Sequence, residues 1–436
     1  MFHNILDWLK QLFGVMPRKT MEQQAEQVKQ LMAYKNTTEF NVTALVAGKV
    51  ANIVCGDATI EVVGNGPRVE YLQRAMERVI DRLKIITARA LGSGGAWLVP
   101  YNVGDEVHAD IIEQPRFFVI EQRGTVPIKA QYVAEVRTIG SHDYARFVSC
   151  ELTDAGKYIM EHKAIRDGVP VALSEVSEWA EITSPAIFEN VEQMLVAFVK
   201  CPTDTRDDVQ ELRGVPLTHG QERLILMIQT ILNQIPDEYR LKKAFIGVSD
   251  LMFNGKGRLP DDGLYKRFPA DGEIGKAPFW EVFSPEIRHT SYFAGLDYLL
   301  GLLEKSIGLN KGVLTDLESA DATATAIKRS MFDTFNLVDA MRRQLEIGLE
   351  QILYAFDAFA VGGGFIPKGS HDWELEFDWS YALLEDSQET WTQLTQALGM
   401  GVIGREKVAA WLLDISEEEA LEGLPQMLDD MQTVGE

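Results

Sequence analysis

The sequence predicts an α+β chain, on three observations. Residues 42 to 95 alternate apolar helical patterns with one short strand-like run. Residues 96 to 182 break into short alternating runs separated by Gly, Pro and Asp, as an antiparallel sheet requires. From Ile327 the apolar positions recur at Met331, Phe335, Val338, Met341, Leu345, Leu349, Ile352, Phe356 and Phe359, a mean spacing close to the helical 3.6. Counted from Asp321 to Ala360, that last helix is about 40 residues and about 60 Å long, far above the usual ~11 residues.

The elements follow in order. The opening MFHNILDWLKQLFG sets Phe2, Ile5, Leu6, Leu9, Leu12 and Phe13 on one helical face. It lacks a basic n-region and a small-residue cleavage site, so no signal peptide is expected. The face suits packing on the protein's own body or on a neighbouring subunit; a membrane-surface helix is the alternative. Residues 20 to 35 read as a polar helix and 42 to 54 as an apolar one ending near Gly56, followed by the strand TIEVVG. PRVEYLQRAMERVIDRLKIITARALGSGG reads as one helix with Leu72, Met76, Val79, Leu83 and Ile86 on a face, stopped by Gly92, Gly94 and Gly95. The strand-rich segment then runs to WAEI, itself expected to be a strand. Residues 36 to about 217 thus form an α+β body.

A second helical zone opens with QERLILMIQTILNQIPDEYRLKKAF, where Pro236 is expected to kink the helix or divide it. A short Gly- and Pro-rich, strand-like excursion follows, too small for a large core. SPEIRHTSYFAGLDYLLGLLEKSIGLN is helical again, with Ser284 and Pro285 suited to N-cap and N1. The small-residue stretch NKGVLTDLESADATATA leads into the long helix, which VGGGF ends. A strand (WELEFDWS) and an acidic helical tail close the chain, with Ser416 to Glu419 as a capping box. Two coextensive helices carrying a small module at their far end look like a stalk. A lone stalk leaves apolar faces exposed unless copies pack side by side.

Composition bounds the function. The 436 residues suggest two or three structural units, and 46% apolar with 25% charged residues is ordinary globular usage. The longest apolar run, LILMIQTIL, is far too short to span a membrane. Cys55, Cys150 and Cys201 are odd in number and form no CxxC, which supports neither a disulfide framework nor a zinc site and suits a reducing cytoplasm. The net charge is −23, and residues 369 to 436 hold 16 acidic residues against Arg405 and Lys407. Such a surface does not grip nucleic acid broadly, since phosphate binding relies on Lys and Arg displacing counterions.

No catalytic motif emerges. LGSGGAW lacks GK[ST] and reads as a helix stop before a strand; GNGP is a turn. The seven His show no HExxH spacing, and His371 beside Asp372 is the nearest approach to a metal corner, better read as a surface loop. No GxSxG occurs, and the pairs Asp261 with Asp262 and Glu376 with Asp378 read as solvated carboxylates. The basic residues are better placed. Lys256, Arg258, Lys266 and Arg267 cluster in the small excursion, and Lys305, Lys311, Lys328 and Arg329 flank the small-residue loop. They suit contacts to a partner's acids or brief contacts to phosphate.

This order of elements resembles the portal proteins of tailed bacteriophages, in particular those of phages infecting Gram-positive hosts. The resemblance rests on LKIITARALGSGGAWLVPY with IIEQPRFFVI, GVPLTHGQERLILMIQTILNQ, ESADATATAIKRSMFDTFNLV and WELEFDWSYALLEDSQET. It covers about residues 36 to 415. It implies a portal fold with an α/β wing, helical stem, small β-containing clip, long tunnel helix and helical crown. The segments would be 1–35 an N-terminal arm, 36–217 wing, 218–243 and 286–309 stem, 244–285 clip, 310–322 tunnel loop, 323–361 tunnel helix, and 362–436 returning strand and crown. The resemblance further implies a dodecameric ring at one capsid vertex of the virion, assembled in the host cytoplasm. No enzyme activity, cofactor or membrane follows from it. Expected partners are further copies of the chain, the terminase large subunit, capsid and scaffolding proteins, a head-tail adaptor, and double-stranded DNA in transit. Lys311, Thr315, Asp316, Glu318, Asp321, Lys328 and Arg329 would belong to the tunnel loop, and Lys256, Arg258, Lys266 and Arg267 to a docking surface on the clip. Competing readings are another head or connector protein, and a cytosolic hydrolase with a helical lid.

Overall fold

The computed structural model describes residues 40–56, 58–124, 126–167, 169–203, 213–241, 245–249, 265–268, 280–283, 289–315, 324–369, 371–379, 394–413 and 420. The chain is α+β and divides into two units, one of residues 1–55 with 59–377, the other of 56–58 with 378–436.

In the first unit, helix α1 (Val42–Cys55) starts at an Asn41 cap, whose Oδ1 accepts from the Ala44 amide at 3.0 Å. Its buried stripe, Val46, Val50 and Val54, is the spacing the sequence shows. Strand β1 (Thr59–Gly64) leads to a break the sequence does not announce: the expected single helix is two, α2 (Pro67–Ile80) and α3 (Leu83–Ser93). No Gly or Pro lies at the joint. Arg82 departs from helical geometry there (φ −100°, ψ 8°), and its Nη1 donates to the Ala109 carbonyl at 3.0 Å, as Arg78 and Arg89 do to the Val107 and Ile111 carbonyls of the same stretch. The expected face, Leu72 through Ile86, is buried on both pieces.

Helix α3 stops at Gly94, which sits in the left-handed region at φ 93°. Three strands follow from it: β2 (Gly95–Val103) pairs antiparallel with β3 (Glu106–Glu113) on one side and β10 (Ala197–Lys200) on the other. Trp97 of β2 is sandwiched between Phe117, at 3.8 Å between centroids, and Phe198, at 4.2 Å. A second, antiparallel sheet runs β4 (Phe117–Arg123), β5 (Val126–Ile139), β6 (His142–Leu152), β7 (Lys157–Arg166), β8 (Val169–Val171), with β9 (Ala186–Glu189) also on β7. A bulge at Ala134 is held by Arg116, whose Nη2 donates to the carbonyls of Val133 and Ala134. WAEI is not a strand. Ser177–Trp179 is a 3-10 turn that buries the Trp179 ring and aims its Nε1 at Glu135, 2.8 Å away.

Helix α4 (Glu222–Leu241) continues through Pro236 rather than dividing there. The excursion is a three-stranded sheet, with β11 (Phe245–Ser249) parallel to β12 (Tyr265–Phe268) and antiparallel to β13 (Trp280–Phe283). Helix α5 (His289–Ser306) returns and packs on α4; the Ser284 and Pro285 start lies outside the described residues. The long helix α6 (Ala324–Gly362) has 39 residues and crosses β10, β2, α1 and α2. Val338, Met341, Leu345, Leu349, Ile352 and Phe356 are fully buried, so the body supports the stripe from Val338 onward. Ahead of it, Phe332 is 64% exposed. Strand β14 (Trp373–Asp378) comes back to pair with β1, as a returning strand should.

In the second unit, helical residues 394–399 turn at Gly401 (φ 69°) into the helix Arg405–Leu413, with Met400 and Val402 exposed at the turn. The 1–35 arm and the Ser416–Glu419 capping box lie outside the described residues.

Candidate functional site: a latched loop before the long helix

The loop after α5 is organised by a buried acid. Along α5, Leu299, Leu303 and Ile307 form the inward stripe, and Glu304 falls beside them with no exposed surface. Its Oε1 accepts from the backbone amides of Gly312 (3.2 Å), Leu314 (2.6 Å) and Thr315 (3.1 Å). Its Oε2 accepts from the Thr315 hydroxyl at 3.0 Å. Backbone amides converging on one carboxylate offset the cost of burying it. The loop is tied a second time where the Asn310 amide donates to Thr334 Oγ1 of α6 at 2.8 Å. Residues 310–315 are therefore shaped by both helices that flank them.

Two further polar residues interrupt the buried stripe of α6. Asp357, with no exposed side-chain surface, receives Arg68 Nε at 2.8 Å and Nη2 at 2.6 Å in a fork. His371 Nδ1 lies 2.6 Å from the same carboxylate, and Arg68 Nη1 reaches the Pro367 carbonyl. This cluster joins α2, α6 and the turn into β14. His371 thus pairs with Asp357, and no group of three or more metal-ligating side chains occurs among the described residues. About four turns nearer the loop end, Arg342 Nε donates to the Val54 carbonyl at 3.0 Å and caps the end of α1.

A pair of close-approaching glycines sets where α4 begins. A Cβ on Gly94 would stand 2.5 Å from the Gly214 carbonyl, and one on Gly214 would meet the Gly94 carbonyl. The Leu217 amide donates to Leu91 at 2.8 Å beside them. Residues 213–217 are thereby fastened to the end of α3 just before the helix.

Of the residues expected in the tunnel loop, Lys311 is exposed, and Thr315 is 7% exposed with its hydroxyl on Glu304. Lys328 and Arg329 lie on the first turns of α6. Asp316, Glu318 and Asp321 lie outside the described residues. Of the expected clip residues, Lys266 and Arg267 are on β12, opposite Gly247 and Val248 of β11, while Lys256 and Arg258 lie outside the described residues. Sequence reasoning missed Glu304, Asp357 and Arg342. Each was detectable as a charge on an apolar stripe, next to Leu303, Phe356 and Met341 respectively.

A polar cleft of about 720 Å³ lies in the strand-rich body. It holds Asp110, Glu135, Arg146 and His162. Burial and the neighbouring Arg146 push the His162 imidazole down to about 4, and Arg146 Nη1 donates to its Nδ1 at 3.1 Å. Burial raises the Asp110 carboxyl. A neutral imidazole already accepting from a guanidinium is a poor general base near neutral pH, and the Ser184 hydroxyl beside it meets the His162 backbone, accepting from its amide at 2.8 Å. The three cysteines are buried and free, with burial pushing each thiol up, to about 12 for Cys150.

No family model matches the chain, and no curated protein matches it. Among solved structures it is similar to a chain in the neck of an empty GTA particle computed with C6 symmetry, at 11% identity and a TM-score of 0.43, covering 86% of this chain and 90% of that one. The neck of a native GTA particle computed with C12 symmetry gives the same values. A chain in the virion of a native gene transfer agent particle gives 11% identity and a TM-score of 0.41 over 86% of this chain and 92% of that one. At that identity and superposition score the likeness assigns the chain to no family.

Proposed function

We propose that this protein is a phage portal subunit, whose copies close into a ring that passes double-stranded DNA during packaging and ejection. The observation that carries the reading is the apolar surface left open on the stalk. Leu226 (62% exposed) and Met227 on α4, Tyr298 (67%) and Leu302 on α5, and Phe332 on α6 are large apolar side chains exposed among the described residues. Monomeric proteins rarely leave so many large apolar side chains open, and a ring of side-by-side copies would offer them a repeated interface.

The rest of the molecule fits that reading. A net charge of −23 suits a conduit that must not hold its cargo, leaving local positives for transient contact. Lys311, Lys328 and Arg329 border the latched loop and are assigned to DNA or to a neighbouring subunit. Lys256, Arg258, Lys266 and Arg267 are assigned to docking of the terminase or the head-tail adaptor on the clip. The chemistry of DNA movement is assigned to a separate ATPase, consistent with a sequence without GxxxxGK[ST].

Electron microscopy of the purified protein with mass determination in solution tests the proposal. A ring of about twelve copies with an axial hole is expected for a closed cyclic assembly. Leu226→Glu with Tyr298→Glu should leave a folded monomer. A wild-type protein that stays monomeric in the presence of scaffold and capsid protein refutes the ring. Reversing the charge of Lys311, Lys328 and Arg329 should impair packaging while sparing ring formation.

A further inference from the structure

Strand β3 is an edge of its sheet: β2 pairs with it on one side, and among the described residues no strand pairs with the other. A strand so placed presents a row of carbonyls and amides to whatever comes alongside. Which residues face out follows from the register. Ala109 stands opposite Pro100, which has no amide and so cannot belong to a pair that exchanges both ladder bonds. Ala109 therefore turns its backbone groups away from β2, and by alternation so do Val107 and Ile111. All three residues are buried, so their outward carbonyls need partners.

Side chains of the two helices beside the strand supply them. Arg78 Nη1 of α2 donates to the Val107 carbonyl at 3.3 Å, Arg82 Nη1 to that of Ala109 at 3.0 Å, and Arg89 Nη1 of α3 to that of Ile111 at 3.2 Å. The Tyr71 hydroxyl continues the row, donating to the Asp105 carbonyl in the turn before the strand at 2.9 Å. Donors and acceptors follow one another in the same order along helices and strand. At the sheet's far edge the Phe198 amide of β10 likewise donates to a helix side chain, Gln351 of α6, at 3.0 Å. The arginine charges meet acids of β3 itself: Arg78 Nη2 is 2.6 Å from Glu106, and Arg89 Nε is 3.6 Å from Glu113. A row so neutralised is a poor site for phosphate. We infer that it guards the β3 edge, so that no strand of a second copy of this chain can add to the sheet there. An added strand would have to offer its amides to the carbonyls that the guanidinium groups already hold. The guard stands whether or not copies close into a ring.

Removing the donors tests it. Arg78→Met, Arg82→Met and Arg89→Met together keep the apolar stems and delete the guanidinium groups. The full-length triple variant should form β-rich assemblies beyond any that the wild type forms, read as a several-fold rise in thioflavin T signal and in sedimenting protein. Arg68→Met, which cuts the separate contact to Asp357, controls for mere loss of stability and should not assemble. A triple variant that assembles no more than Arg68→Met overturns the inference. Strand addition is read separately with a photo-crosslinking peptide of alternating valine and lysine, whose charge suits the acids of β3. It should label residues 105–113 several-fold more in the triple variant than in the wild type, and a version with proline at alternate positions, unable to pair, should not. Equal labelling of variant and wild type, including none in either, overturns the guard, as does equal labelling by the proline peptide. Should the triple variant misfold, Arg82→Met alone removes the middle donor and takes its place in the labelling, with a smaller rise expected and the same outcomes overturning.

Discussion

Glu304→Ala is the sharpest perturbation of the latched loop. The wild-type carboxylate accepts three amides and one hydroxyl while fully buried. Hydrogen bonds to a charged group contribute about 1.5–3 kcal/mol each. Desolvating the carboxylate offsets several kcal/mol of that gain. A net loss of about 3 kcal/mol remains for alanine, which leaves buried amides without an acceptor. Glu304→Gln keeps Oε1 for the amides, and the Thr315 hydroxyl can rotate to accept from the new NH2, so about 1 kcal/mol is lost. Since ~1.4 kcal/mol is tenfold, the amides of Gly312, Leu314 and Thr315 should exchange about 100-fold faster in the alanine variant and about fivefold faster in the glutamine variant. Exchange resolved to single residues reads this directly. Equal effects from both variants, or less than about threefold from alanine, would refute the latch. Thr334→Val should add to either, because it cuts the separate tie to Asn310.

Three other outcomes are expected. Gly94→Ala should cost ~2 kcal/mol or more in urea unfolding, since a left-handed non-glycine residue would here also press its Cβ on the Gly214 carbonyl. Asp357→Asn should cost ~3 kcal/mol by breaking a buried ion pair, and Arg68→Lys should not match wild type because an ammonium cannot make the fork; double replacement by leucine should cost less than Asp357→Asn alone if the pair is the cause. His162 has a folded-state value of about 4 against an ordinary 6.5, so the unfolded state takes up the proton first as pH falls. Stability from this residue is therefore present above pH 6.5 and is lost as pH drops toward 4, and His162→Gln should flatten that part of the stability curve.

The local elements were legible because their signals are local. The stripe from Val338 to Phe359, the glycine stop at Gly94, the returning strand at 373–378 and the small sheet between the stalk helices all announce themselves through spacing or turn chemistry. The misses have a common cause. The break between α2 and α3 carries no breaker residue, and the arginines on either side of it are held by carbonyls of residues 107–111. WAEI alternates as a strand would, yet Trp179 is captured by Glu135 and the segment winds into a 3-10 turn. A lone pattern cannot register a partner that is distant in sequence.

Sequence by itself determined the α+β class, the long helix and the acidic balance, since composition and periodicity report burial along one element at a time. Only the tertiary structure decided what the charges inside those stripes do. Glu304, Arg342 and Asp357 read as blemishes on apolar faces until the fold brings them the amides of residues 312–315, the carbonyl of Val54 and the guanidinium of Arg68. A buried charge is tolerable only where such partners converge, and convergence from segments up to 289 residues apart is a property of the folded chain alone.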